Sequence, residues 1–127
     1  MGSTNKREKG KAYEEQAACY LTEHGFALLE KNFRCRQGEV DLIGLHEDCL
    51  VFVEVKYRSS PLSGRPEEAV GSLKQSRICM ASDYYRLMHQ VEGSRQIRYD
   101  VVAICGKEIH WYQNAFPYLR RGRPCCW

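Results

Sequence analysis

The chain of 127 residues has no hydrophobic run long enough to cross a bilayer. Its longest uninterrupted apolar stretches, Cys49 to Val53 among them, have five residues, against the roughly 20 a membrane helix needs. The N-terminus is polar and charged and lacks the apolar segment of a secretion signal, so a cytoplasmic location with no membrane partner is expected. No internal repeat is present, and 43% hydrophobic with 28% charged residues excludes wholesale disorder, a collagen-like chain or a coiled-coil rod. Charge of one sign is also scarce: 19 Lys and Arg face 16 Asp and Glu, a formal net charge of +3. What basic excess there is crowds the ends, with Lys6, Arg7, Lys9 and Lys11 at one and Arg120, Arg121 and Arg123 at the other. Such clusters can neutralise phosphates, or can simply be solvated tails.

Metal-binding cysteine spacings are missing too. There are seven cysteines, an odd number. None of Cys19, Cys35, Cys49, Cys79 and Cys105 forms a CxxC, and no paired histidine completes a zinc site. Without a secretion signal these read as reduced thiols, the inner ones as small buried hydrophobes.

What remains is the pattern of one α/β domain, too short for two independent cores. Tyr13, Ala17, Tyr20 and Leu21 recur at helical spacing over residues 9 to 24, and His24-Gly25 stops that helix. Strands are expected at 26–33 and 38–45, joined by a turn at 34–37. The β-branched and aromatic run 50–57 marks a buried central strand. Residues 58–65 are loop chemistry, and Pro66-Glu67-Glu68 looks like the start of a second helix running to about His89. Its expected apolar stripe is Val70, Leu73, Ile78, Ala81, Tyr84, Tyr85 and Met88. Two further strands, 98–105 and 108–112, complete the order α-β-β-β-α-β-β. That order describes an α/β sandwich in which the second helix crosses over to a strand beside the central one. The expected layout is a flexible basic segment 1–8, a domain 9–115 and a basic tail 116–127.

Charge then appears where burial is expected. Strict alternation puts Glu39, Asp41 and Ile43 on one side of the second strand and Val40, Leu42 and Gly44 on the other. In the central strand Glu54 and Lys56 share a face with Phe52. Burying an unpaired carboxylate costs several kcal/mol, so a chain keeps one only if it is paired, metal-bound or open to a cleft. Glu54 and Lys56 could pair with each other, or across to the second strand, at the exposed end of the central strand. The helical wheel also turns Glu14 of the first helix and Lys74 and Arg77 of the second toward the sheet, although the two cations could equally snorkel. Converging oxygen donors with lysines nearby suit a hard divalent cation, and phosphodiester hydrolysis is the reaction such a site serves.

The order Asp41, twelve residues, then Glu54-Val55-Lys56 resembles the PD-(D/E)xK nuclease superfamily and its restriction-endonuclease-like fold, a central mixed sheet flanked by helices. Gly38-Glu39-Val40-Asp41-Leu42-Ile43, Val51 to Arg58, Lys74 and Arg98-Tyr99-Asp100-Val101-Val102 together look like the small YraN-like family of predicted endonucleases. That family is distantly similar to archaeal Holliday-junction resolvases, and the likeness extends over about residues 8 to 115. Val40, rather than the superfamily's proline, precedes Asp41. The resemblance implies Asp41, Glu54 and the backbone carbonyl of Val55 as ligands of Mg²⁺ or Mn²⁺, and Lys56 as the catalytic lysine. It adds Glu14 as the first-helix acid, Glu39 as a ligand or its partner, and Lys74 as a helical residue near the centre. The expected function is a metal-dependent endonuclease acting on DNA, with branched or repair intermediates as candidate substrates. Arg58, Arg65, Lys11 and Arg77 would contact the nucleic acid, and a branched substrate would favour a homodimer. The alternatives are RNA cleavage and a catalytically inactive docking module that keeps the fold.

Overall fold

A computed structural model describes residues 2–58 and 70–118, with side chains described in 8–58 and 70–118. The elements are α1 (Gly2–Glu23), β1 (Ala27–Cys35), β2 (Gly38–His46), β3 (Cys49–Tyr57), α2 (Ser72–Met88), β4 (Ile97–Cys105) and β5 (Glu108–Tyr112). The chain is thus an α/β protein with the expected element order. Its sheet is mixed, ordered β1-β2-β3-β4-β5, with β3 and β4 parallel and every other pair antiparallel. The parallel pair is the one that α2 connects, because a crossover must carry the chain back to the end where β3 began.

The helices cover opposite faces. Leu42, Val51, Val53, Val102 and Ile104 pack with Ala17, Ala18 and Leu21 of α1. Ile43, Phe52, Tyr99 and Val101 pack with Ile78, Cys79, Ala81 and Tyr85 of α2. Alternation along β3 and β4 therefore follows the pleat: Val51 and Val53 look one way, Phe52 the other.

Four expectations need correction. Helix α1 starts well before Lys9 and takes in most of the segment assigned to the N-terminal extension. The polar residues there include Lys and Glu, which favour a helix without needing a core. The proposed start of the second helix at Pro66-Glu67-Glu68 lies outside the described residues, and α2 begins at Ser72 behind an extended Gly71 whose carbonyl accepts the Gln75 N–H at 2.9 Å. With the helix entering there, its core face is Gln75, Ser76, Ile78, Cys79, Ala81, Ser82 and Tyr85, while Leu73, Tyr84 and Met88 are exposed. On β2, Val40 joins the α2-side core and Leu42 the α1-side core, so the two do not share a face. Alternation slips at Asp41, where β2 parts from β3. Finally, of the five described free cysteines only Cys79 is buried; Cys19 is exposed and Cys35, Cys49 and Cys105 are intermediate.

Candidate active site

The slip at Asp41 builds the site. The ladder between β2 and β3 runs from His46↔Cys49 to Leu42↔Val53 and goes no further. One residue on, the Asp41 side chain stands in for the lost ladder: Oδ2 accepts the Val55 N–H, opposite Val40 in the continued register, at 2.9 Å. The two strands splay from there, and the opening is where α2 docks. Gly38 makes that approach possible, since a Cβ at this position would lie 2.7 Å from the Arg77 carbonyl oxygen.

Glu54, opposite this opening on β3, is 3% exposed. Its Oε2 takes an ion pair from Lys74 Nζ at 3.0 Å, but its Oε1 is buried and has no hydrogen-bond partner. The Glu54 and Asp41 carboxyl groups lie within hydrogen-bonding reach of each other. Two ionised carboxylates both accept, so that contact becomes favourable only with a proton or a cation between them. The electrostatics agree. Burial, then the Asp41 charge, push the Glu54 carboxyl up to about 8 against the pull of Lys74. Burial raises Asp41 as well, against the lowering effect of the Val55 N–H. For Lys74 burial works downward, and the Glu54 carboxylate outweighs it so that the ammonium is held above its usual range.

Glu14 approaches from α1, half-buried and raised first by burial and then by the Asp41 charge, with a hydrogen bond to Asn32 opposing. Glu39 sits on the rim in an exposed 3.2 Å pair with Arg34. Among the described residues no three His, Cys, Asp or Glu side chains form a ready-made group for a metal, and Glu14 and Glu39 bear on the Asp41 carboxyl through their charge. Lys56 is half-buried two residues past Glu54 and forms no ion pair among the described residues. The pairing of Glu54 with Lys56 that the strand pattern allowed does not occur, because Lys74 reaches Glu54 from the helix above.

A cleft of about 440 Å³ adjoins the site, lined by Arg34, Gly38, Glu39, Lys74 and Arg77 among others. Arg77 is therefore placed where a phosphate could meet it. Arg34 was missed by sequence reasoning, its only signal being a cation opposite Glu39 across the turn of a hairpin. Lys11 is exposed on α1, and Arg58 follows β3 with its N–H bonded to the Ile104 carbonyl at 2.8 Å. Arg65 lies outside the described residues, as do the side chains of Lys6 and Arg7 and the arginines of the tail.

A five-stranded α/β domain whose strands β2 and β3 part around a buried glutamate and a half-buried aspartate, together under-neutralised, is the class that fold and site define. The chain belongs to the uncharacterised protein family UPF0102, whose model matches residues 13–104. A UPF0102 protein of Lachnoclostridium phytofermentans is 44% identical over 112 residues, covering 88% of this chain and 95% of the relative. One from Nitrosomonas europaea is 43% identical over 111 residues, covering 85% and 92%, and one from a Janthinobacterium species 40% identical over 112 residues, covering 88% and 89%. The matched segment contains every site residue named above except Lys11.

Proposed function

We propose that the protein is a divalent-metal-dependent endonuclease that hydrolyses phosphodiester bonds in DNA, with branched or repair intermediates as its substrates. The observation that carries this reading is the Asp41–Glu54 pair. A buried carboxylate, Glu54, faces a half-buried one, Asp41; one Glu54 oxygen has no donor, and a lysine partly neutralises the pair from outside. The donor set fits a hard cation. Mg²⁺ is commonly held by one or two carboxylates with water completing its octahedron, so Asp41, Glu54 and the Val55 carbonyl are sufficient protein ligands. When bound, such an ion supplies a water of lowered pKa and offsets charge developing on the phosphoryl group.

The chain's own groups do the rest. Asp41 fixes Val55 and with it the main chain between the ligand position and Lys56. Lys56, free of an ion pair among the described residues, is the group to orient the attacking water and stabilise the anion. Arg34 and Arg77 line the adjoining cleft as phosphate contacts, and Lys11 and Arg58 are further cations for the nucleic acid outside it.

The test is cleavage of junction, flap, single-stranded and plasmid DNA with Mg²⁺, Mn²⁺ or EDTA. We expect cutting only with metal, and its loss by at least about 100-fold in Asp41→Ala and Lys56→Ala. Cutting in EDTA, or undiminished cutting by the variants, overturns the mechanism. A second reading, a nucleic-acid-binding module without hydrolysis, draws support from the closed Lys74–Glu54 pair, which already occupies one oxygen of the proposed ligand. Binding without cutting by the wild type under every metal condition would favour it.

A further inference from the structure

The last turn of α2, the loop before β4 and the segment after β5 border a pocket of about 330 Å³ that is separate from the candidate active site. Both open on the α2 face of the sheet, but at opposite ends of it. Ile97 in the pocket wall pairs with Leu50, which precedes Glu54 by four residues, or ~13 Å along β3. Two cations line the pocket, Arg86 from the helix and Arg95 from the loop, and among the described residues no acid does. An aromatic stack, Tyr99 on Phe116 with centroids 5.4 Å apart, forms another part of its wall.

Arg86 carries the argument. Its side chain is only 24% exposed, yet among the described residues its guanidinium makes no hydrogen bond: Nε is buried without a partner, and the ion pair of a terminal nitrogen with Asp83 is stretched to 4.0 Å. Asp83 is engaged elsewhere, its other oxygen taking the Tyr118 hydroxyl at 2.6 Å. Arg98 shows what a partly buried arginine usually has, since it donates to both Asp100 and His46. The C-terminal dipole of α2 favours a cation in the last turn but supplies no acceptor for it. A guanidinium has five donors, and withdrawing them from water without acceptors costs free energy, so an acceptor from outside the chain accounts for the arrangement. With Nε closed off, that acceptor would meet the terminal nitrogens, whose planar fork matches a phosphate oxygen pair.

We propose that this pocket binds a phosphate-type oxyanion with Arg86 and Arg95 as its counter-charges. The volume exceeds that of a bare ion and admits part of the molecule bearing it. A small phosphate ester and a nucleic-acid backbone would present the same group. Neither requires that the protein cleave anything.

Inorganic phosphate is the probe. Tm of the full chain is followed in phosphate and in chloride of equal ionic strength, for wild type, Arg86→Gln and Arg95→Ala. Wild type should gain a few degrees in phosphate over chloride, and both variants should lose most of that gain. Phosphate also stabilises folded chains by exclusion from their surfaces, but that effect is common to all three proteins. An equal gain in all three, or no gain in wild type, overturns the site. Arg95 is exposed, so its replacement decides the matter should Arg86→Gln fail to fold. Binding of a short DNA duplex in EDTA then identifies the carrier. If a backbone phosphate uses the pocket, inorganic phosphate competes with the duplex, and each variant lowers the slope of log K against log salt by about one. If a free ester is the ligand, the variants bind duplex as wild type does while the difference in Tm persists. Either result retains the pocket as an anion site and names its source.

Discussion

Asp100 and Glu54 are both acids buried in the central strands of one sheet, and their surroundings could hardly differ more. Asp100 is fully buried and completely served: Oδ1 accepts from Arg98 Nε and the Asn114 N–H, both at 2.9 Å, and Oδ2 from an Arg98 terminal nitrogen and Trp111 Nε1, both at 2.8 Å. Arg98 in turn gives a hydrogen bond to His46 Nδ1 at 2.9 Å, and burial, which works to lower it, is outweighed by Asp100. One carboxylate thereby ties β4 to β5, to the segment after β5 and to the end of β2. Glu54 has a single half-exposed lysine, a neighbouring carboxyl group and an oxygen with nothing. A satisfied buried charge is an anchor. An unsatisfied one is retained against stability, which accords with the cation site proposed above.

The sharpest way to break the contrast is to neutralise each acid. Asp100→Asn leaves Arg98, only 12% exposed, without its counter-charge, and should cost about 3–5 kcal/mol in urea unfolding. A loss below about 1 kcal/mol would mean that the network is ornamental. Glu54→Gln should do the opposite. The folded Glu54 carboxyl stands well above its unfolded value of 4.5, so the folded state holds a proton that the unfolded chain releases as pH rises. Its contribution is complete below about pH 4.5 and is lost as pH climbs toward about 8. Glutamine removes that loss, and should stabilise by about 1–3 kcal/mol at pH 8 and by much less at pH 5. A gain independent of pH would show that the proton is not the cause.

Next in size is the effect of a cation. At ten times its Kd, Mn²⁺ should stabilise the wild type by about 1.4 kcal/mol and raise Tm by a few degrees. Glu54→Gln and Asp41→Asn should abolish the rise, whereas a rise that survives both places the ion elsewhere.

Most of this was legible in the residues. The dense β-branched run at 50–57, and Gly38 and Gly93-Ser94 as punctuation, put the strands within a residue or two and the sheet in its order. Asp41, Glu54 and Lys74 stood out because each is a charge inside an apolar pattern, and the three do meet. What escaped was whatever depends on a local break in periodicity. Val40 and Leu42 part at the Asp41 slip, which no count by twos anticipates, and Leu73, Tyr84 and Met88 are exposed because the helix turns Gln75, Ser76, Cys79 and Ser82 to the sheet, polar or small residues that an apolar count passes over. The Asp100 network was half visible: Arg98 and Asp100, two apart on a strand, had to share a face, but Trp111 and Asn114 arrive only through the β4–β5 pairing.

The smallest expected effect concerns Lys74. Cutting one partner from a buried ion pair ordinarily costs several kcal/mol, because the other charge is stranded. Here Glu54 has an escape: its carboxyl is already raised, and a proton shared with Asp41 can replace the ammonium. Lys74 is also 44% exposed, so much of its charge is felt through water. Lys74→Ala should therefore cost no more than about 1 kcal/mol at pH 6, and more at pH 8, where the escape requires a proton from a dilute supply. Removing the competing ammonium should at the same time tighten Mn²⁺ binding, seen as a larger Mn²⁺-induced rise in Tm than the wild type shows at the same concentration. If the variant instead binds Mn²⁺ more weakly, Lys74 is a partner of the loaded site and not the placeholder that Glu54 Oε2 holds in its absence.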